Sequence, residues 1–276
     1  MRFSIITITY NSECYLEETI QSVLSQDFAD FEYIIVDGGS TDGTLDLIKG
    51  YAEKDSRIRW VSEPDEGIAD AFNKGIAAAT GELVGIINSD DSYVPGALHA
   101  VAESYAAHPE CDVFHGDILR FQDDQPLFRL KPSDVERTIW HGMPLNHPAT
   151  FVTARAYRKV EGYDKTFRVA MDYDLLLRMA KAGCRFCYID QVLANMRYGG
   201  ESDASFLVGL REVFRASVRE GYPRHKAYLW MYFKVMLGLI KNVMRRTGLY
   251  SLMRLHPKFH EIGKNESSTI GRERES

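Results

Sequence analysis

Two adjacent acids, Asp90 and Asp91, follow the apolar run at 83–87 after only Asn88 and Ser89. Buried strands rarely end in neighbouring like charges unless something neutralises them. Hard oxygen ligands at a strand end suit Mg2+ or Mn2+, and such an ion in turn binds a diphosphate. Turn chemistry is the plainer alternative, because Asn88, Ser89 and the two acids all shape loops well. A second stretch, VDGGSTDGT at 36–44, sets Asp37 at the end of another apolar run and follows it with two glycines. The glycines permit a tight turn, and Ser40 or Thr41 can cap a following helix. The pattern is neither G-x-G-x-x-G nor a phosphate loop with its Lys, so dinucleotide and P-loop readings lose support. Cys184 and Cys187 spell C-R-F-C, but no second pair completes a zinc site.

Hydrophobic periodicity supplies the elements that must position these groups. Phe3–Thr9 is a β-branched run that predicts a strand. Leu16, Ile20, Val23 and Leu24 then recur at i, i+4, i+7 and i+8, one face of a helix. Glu13, Glu17 and Glu18 lie near its start, where the helix dipole favours negative charge. Strands are expected at 31–39, 58–63 and 82–88, with helices between them at 41–54 and 65–80. Repeated βα units imply a mostly parallel sheet covered on both faces. Ligands of such sheets bind at the carboxyl ends of the strands. Those ends are polar throughout: Tyr10-Asn11, Asp37-Gly38-Gly39, Glu63-Pro64-Asp65 and Asn88-Ser89-Asp90-Asp91. Residues 111–200 are less regular, with strands expected at 111–118, 146–153 and 186–197 and a helix at 171–183. From about 204 the chain reads as helices, and its last dozen residues are polar enough to be expected disordered.

The 276 residues carry a net charge of −6 that hides an asymmetry. Residues 1–110 hold 20 acidic and 6 basic side chains, whereas residues 222–260 hold 8 Lys/Arg and no acid. A basic, apolar-rich tail on an acidic body is expected to meet an anionic surface. Within 227–255, Tyr228, Trp230, Tyr232 and Phe233 suit a headgroup boundary, and Lys241, Arg245, Arg246 and Arg254 suit anionic lipid. Helices packed on the body or in an oligomer interface are the plainer reading. No run of about 18 uninterrupted apolar residues is present, so no classical membrane span is expected. The start is too short and too threonine-rich in its apolar run for a signal peptide. The four cysteines, Cys14, Cys111, Cys184 and Cys187, are expected to be reduced in a cytosolic chain.

Taken together, TITYNSECYLEETIQSVLSQ, EYIIVDGGSTDGT, EPDEGIADAFNKGIAAATGE, INSDD, NHPATF and MDYDLLLRM resemble the family 2 glycosyltransferases. More narrowly, they resemble a bacterial branch that assembles cell-surface polysaccharides, over residues 3 to about 200. The resemblance implies an α/β fold of GT-A type with a C-terminal helical extension. It also implies inverting transfer of a sugar from a nucleotide donor, UDP-linked by preference. By that resemblance Thr9 and Tyr10 line the base pocket and Asp37 accepts a hydrogen bond from the base. Asp70, Asn73 and Lys74 match a segment near the donor, with Lys74 balancing phosphate charge; a solvated helix face is the alternative for Asp70 and Lys74. INSDD matches the metal-binding D-x-D element, with Asn88 in place of its first Asp and Ser89 between. A neutral amide supplies no charged ligand. The metal, Mg2+ or Mn2+, is therefore assigned chiefly to Asp90, with Asp91 a second ligand or a hydrogen-bonding support.

On the acceptor side, Asp172 matches the catalytic acid and Asp174 the accompanying acid, with a helix N-cap as the competing explanation of Asp172. His147 matches a position near the donor sugar or acceptor. Gly116-Asp117 and Gly199-Gly200 match recurring positions near the cleft. The domain expectation is a catalytic domain over 1–203, divided into a nucleotide-binding half (1–110) and an acceptor half (111–203). A helical, basic, amphipathic extension follows over 204–263, then a tail over 264–276. The expected partners are a nucleotide-sugar, a glycan or lipid-linked glycan acceptor, the membrane surface and a possible second copy, with no nucleic acid. The expected location is cytoplasmic, on the inner face of the membrane. Two other readings remain open at this point: a catalytically silent sugar-nucleotide-binding or assembly subunit, and a nucleotidyltransferase.

Overall fold

The run Phe3–Thr9 forms β1, and every residue of it except Ile8 is buried. It is flanked on one side by β2 (Phe31–Asp37) and on the other by β4 (Leu83–Ile86), both parallel to it. A strand with neighbours on both edges and helices on both faces has no solvent side, which is why its sequence does not alternate. β3 (Ile58–Ser62) completes the parallel half beyond β2. Phe3, Ile5, Tyr33 and Ile35 point to one face and pack with Leu16, Ile20 and Val23 of α1 (Leu16–Leu24) and Ile48 of α2 (Thr44–Ala52). Ile6, Ile34 and Val36 point to the other face and meet Ala69 and Phe72 of α3 (Ile68–Ala78). This alternation follows from the two-residue period of a strand.

The computed structural model describes residues 2–122, 125–197, 205–246 and 259–260. Its second half extends the sheet with largely antiparallel strands. β5 (Ser92–Tyr93) and α4 (Ala97–Ala107) follow β4, then β6 (Val113–Gln122) and β7 (Gln125–Leu130) form a hairpin. After α5 (Val135–Thr138), β8 (Thr150–Thr153) inserts antiparallel between β4 and β6. α6 (Ala154–Val160) and α7 (Met171–Lys181) then lead to β9 (Phe186–Arg197), parallel to β6 and antiparallel to β5. The last elements are α8 (Phe206–Arg219), α9 (Arg224–Arg246) and the two-residue β10 (Phe259–His260), which pairs with β7. The main path of the sheet runs β10-β7-β6-β8-β4-β1-β2-β3. The α/β class expected from the sequence is what forms.

Three features differ from expectation. Cys111 and Cys187 are joined as a disulfide, leaving Cys14 and Cys184 as the free cysteines. The parallel pairing of β6 with β9 sets Phe114 opposite Cys187 and so brings Cys111 close. No sequence spacing reveals that contact, because 76 residues separate the pair. The N-cap position of α7 is Ala170, not Asp172, and it has no side-chain cap of its own. Instead Glu212 of α8 reaches across and accepts hydrogen bonds from the backbone N–H groups of Arg168, Val169 and Ala170 at 2.8–2.9 Å. Finally, Trp230 of α9 stacks on His141, 5.8 Å between ring centres, and does not face outward. Among the described residues no helix is long and apolar enough to cross a membrane. Gly199, Gly200, Arg254 and the 264–276 tail lie outside the described residues.

Candidate active site

The loops at the carboxyl ends of β1 and β2 are laced together before any ligand is considered. Asn11 adopts a left-handed conformation, donates its N–H to Ser40 Oγ at 2.8 Å, and accepts from the Thr41 N–H at 2.9 Å. Asp37 is fully buried. Its Oδ2 accepts from the N–H groups of Gly39 and Ser40, both at 3.0 Å, and from Ser62 Oγ at 2.6 Å, while Ser40 Oγ donates to Oδ1. Four donors and no exposed surface make Asp37 the organiser of this turn. The open acceptor lies alongside. A Cβ on Gly38 would stand 2.5 Å from Asp65 Oδ2 and 3.5 Å from the Tyr10 ring. Gly38 therefore lets the Asp65 carboxylate lie against its backbone, beside an aromatic ring that is 63% exposed. Thr9, just before Tyr10, is buried, and its hydroxyl has no hydrogen-bond partner.

The acidic pair after β4 divides into two environments. Asp91 is 4% exposed and accepts from the Arg197 N–H at 3.1 Å and from Asn88 Nδ2 at 3.2 Å. Burial, reinforced by the charge of Asp90, pushes its carboxyl up to about 8. Burial raises the pKa of Asp90 as well, opposed by a hydrogen bond from its own backbone N–H and by the Arg197 guanidinium. Ser89 Oγ donates to Ser12 Oγ at 3.0 Å, tying this turn to the end of β1. Among the described residues no three of His, Cys, Asp and Glu gather as a ready-made metal site. Two neighbouring carboxyls whose ionisation burial resists nevertheless form a place where a cation is favourable. Asp90 fits an oxygen-ligand ion that takes its remaining ligands from a diphosphate and water. Asp91 has its own oxygens engaged by Asn88 and the Arg197 N–H.

Helix α3 carries the other donor-side residues, and each is already engaged. Lys74 Nζ lies 3.0 Å from Glu63, 3.4 Å from Asp70 and 2.9 Å from the Pro64 carbonyl. Asp70 accepts from the Glu66 N–H at 3.1 Å and from Lys165 at 3.2 Å. Asn73 spends both amide atoms on Tyr163: its Oδ1 accepts the Tyr163 N–H at 2.8 Å and its Nδ2 donates to the Tyr163 carbonyl at 2.9 Å. That clasp fixes a turn in which Glu161 and Gly162 are both left-handed.

Tyr163 in turn walls a recess lined also by Ile86, Met143, His147, Thr150 and Asp172. Asp172 Oδ1 is buried there without a hydrogen-bond partner. His147 Nε2 lies 3.5 Å from it, and the Tyr163 hydroxyl lies 3.5 Å from the same nitrogen. The His147 ring is set by Phe72, 5.3 Å between centres. Asp174 belongs elsewhere: it is fully buried, accepts from Arg178 Nε at 2.9 Å and also pairs with Arg219. Arg178 holds the carbonyls of Val160 and Gly162, so this ionic cluster braces the same turn that Asn73 clasps. Ile86 lines the recess two residues before Asn88, so the end of β4 joins the two acid sites.

The structure thus brings Asp172 and His147 together and sets Asp90, Asn88 and Ser89 on the neighbouring strand end. It turns Asp37, Asn73 and Asp174 to internal bonding. Asp117, fully buried, is bound by Arg129 at 2.5 Å and Tyr188 at 2.8 Å. Sequence reasoning missed Asp65, Tyr163 and Arg197. Asp65 had a visible signal, as an acid at a strand end, whereas Arg197 meets Asp91 across 106 residues.

The family described as Glycosyl transferase family 2 matches residues 4–162. The O-antigen biosynthesis protein RfbC of Myxococcus xanthus is 32% identical over 221 residues, covering 78% of this chain but only 17% of that protein. The chain therefore spans a small part of that relative's length. A PGL/p-HBAD biosynthesis glycosyltransferase of Mycobacterium bovis is 30% identical over 226 residues, covering 79% of this chain and 87% of the other. Among solved structures, the mannosyltransferase PcManGT of Pyrobaculum calidifontis, in complex with GDP-Man and Mn2+, superposes with a TM-score of 0.65. That match covers 99% of this chain and 79% of the other at 18% identity, which establishes a shared fold.

Proposed function

The chain belongs to glycosyl transferase family 2, and on that premise we propose that it transfers a sugar from a nucleotide-sugar to a lipid-linked oligosaccharide, with inversion at the anomeric carbon. Surface-polysaccharide assembly is the setting, as it is for the O-antigen relative. The observation that carries the reading is Asp172, whose Oδ1 is buried 3.5 Å from His147 Nε2 while its side chain remains 27% exposed, in a recess beside the end of β4. A carboxylate held in place on one side and open on the other is what a general base requires.

In this account the base of the donor lies on the exposed Tyr10 ring near Asp65, and the diphosphate lies against the turn at 88–91. An attacking hydroxyl gives its proton to Asp172 as its oxygen bonds to C1, and the C1–O bond to the diphosphate breaks with the electron pair leaving on phosphate. His147 and Tyr163 hold the Asp172 carboxylate in the recess. Asp90 would hold a divalent ion, Mg2+ or Mn2+, which when bound supplies charge to the leaving diphosphate. Arg197 brings a further positive charge to that corner. A uridine donor is favoured by the motif resemblance, although the solved PcManGT carries GDP-Man. The reaction is placed on the cytoplasmic face of the membrane, where nucleotide-sugars and a lipid-linked acceptor meet.

The test is a panel of UDP-, GDP- and dTDP-sugars with Mn2+, read by thermal shift and by release of the nucleoside diphosphate. One donor class should both stabilise the protein and be turned over. Stabilisation by a donor without any release, with membrane extract supplied as acceptor, would favour the silent binding subunit instead.

A further inference from the structure

Helix α9 is amphipathic the wrong way round for a helix that covers a core. Leu229, Tyr232, Phe233, Met236 and Ile240 fall at i, i+3, i+4, i+7 and i+11, one face of a helix. All five are exposed, from 39% to 71%, and so are Tyr228 and Leu239 at the margin of the same face. The face turned toward the protein carries Ala227, Trp230 on His141, and Gly238, whose Cα side lies against the Phe206 ring. Phe206 and Leu207 at the start of α8 are exposed as well. A surface helix normally buries its apolar stripe, and a contiguous exposed patch of this kind marks an interaction surface.

We propose that this outward face of α9 seats the protein on an anionic lipid surface, lying in the plane of the interface, on the side where the acceptor enters. Charge selects the occupant. Residues 222–260 carry 8 Lys/Arg and no acid, against a whole-chain charge of −6. Two copies meeting through this helix would bring like charges together, whereas an anionic leaflet complements them. The helix is not apolar enough to cross a bilayer, and Tyr and Phe side chains suit the headgroup boundary. The docking face is also wired to the catalytic side. Trp230 packs on His141 and against Gly142, next to Met143 at the recess that holds Asp172. Glu212 of α8 holds the backbone of residues 168–170, immediately before the helix that carries Asp172. A lipid-linked acceptor held at the surface under α9 therefore lies near the recess that holds Asp172. This geometry rests on the transferase reading for the identity of the acceptor, but the lipid contact does not.

The experiment is vesicle co-sedimentation of the full chain, using phosphatidylcholine vesicles with and without about one-third phosphatidylserine. Wild type should pellet with the anionic vesicles, less so in high salt, and stay largely soluble with phosphatidylcholine alone. Leu229→Glu/Phe233→Glu should lose at least tenfold in vesicle affinity while keeping its melting temperature, since both side chains are exposed. Asp172→Asn should bind vesicles as wild type does, which separates failure of this proposal from failure of the catalytic one. Equal pelleting of the double variant, or no pelleting of wild type, would overturn the proposal. So would a wild-type dimer that the double variant converts to monomer, because a second copy would then own the face.

Discussion

Asp90 and Asp91 are neighbours in sequence but answer to different surroundings. Asp91 is enclosed by Asn88 and the Arg197 N–H, while Asp90 is only partly buried and feels the Arg197 guanidinium. Asn88→Asp exchanges an amide donor for a third carboxylate at 3.2 Å from Asp91. Without metal that substitution should destabilise the protein by about 1–3 kcal/mol, through a lost hydrogen bond and like-charge repulsion. With Mn2+ the same variant should gain more in melting temperature than wild type does. Equal Mn2+ shifts in the two proteins would remove the cation from this corner. The family resemblance pointed to Asp172 and His147, and residue types alone to this turn. They did not distinguish Asp37 from Asp65, because both are acids at strand ends. What separates them is that Ser40, Ser62 and two backbone N–H groups consume the first.

Among the elements, periodicity located the strands and helices of the first half because each buries a whole face. β1, β2, α1 and α3 were all legible in this way. The short β5 and the helices α4 and α6 carry no comparable signal, and β8 gains its place between β4 and β6 only through contacts distant in sequence. The β1–β4 contact depends on a position that periodicity does not rank. A Cβ on Gly81 would lie 2.6 Å from the Ser4 nitrogen and 2.7 Å from the Arg2 carbonyl oxygen, both backbone atoms. Gly81→Ala should therefore lower stability by about 1–3 kcal/mol, measured by denaturant unfolding. An unchanged midpoint would mean that the two strands tolerate a wider spacing. The disulfide makes a second prediction at this scale. Protein purified without reductant should show two titratable thiols after unfolding, from Cys14 and Cys184, and four would contradict the bridge.

Across the whole molecule, buried carboxylates differ in how fully they are hydrogen-bonded. At the amino ends of β1 and β2, Glu32 is almost fully buried and satisfied by Ser4, Thr80 and Arg59. Burial pulls its carboxyl upward, but these hydrogen bonds outweigh it and hold the group down at about 2. Its folded value lies below its unfolded one, so the stabilisation is complete above about pH 4.5 and is lost as pH falls toward 2. Glu32→Gln should unfold with a weaker pH dependence across that window, and its deficit relative to wild type should shrink as the pH is lowered. Parallel acid limbs in the two proteins would contradict this. At the carboxyl edge Asp37 is satisfied in the same way, whereas burial raises the pKa of Asp90 beyond β4, and Oδ1 of Asp172 in α7 is buried without a hydrogen bond. Buried acids short of hydrogen bonds are a cost that a ligand site explains. The most direct measurement pairs nucleotide binding with turnover in Asp172→Asn, using whichever donor the panel identifies. Binding within about twofold of wild type with turnover reduced at least a hundredfold is the predicted result, in line with the usual contribution of a general base. Turnover near the wild-type rate, with binding intact, would contradict the assignment of Asp172 as the base.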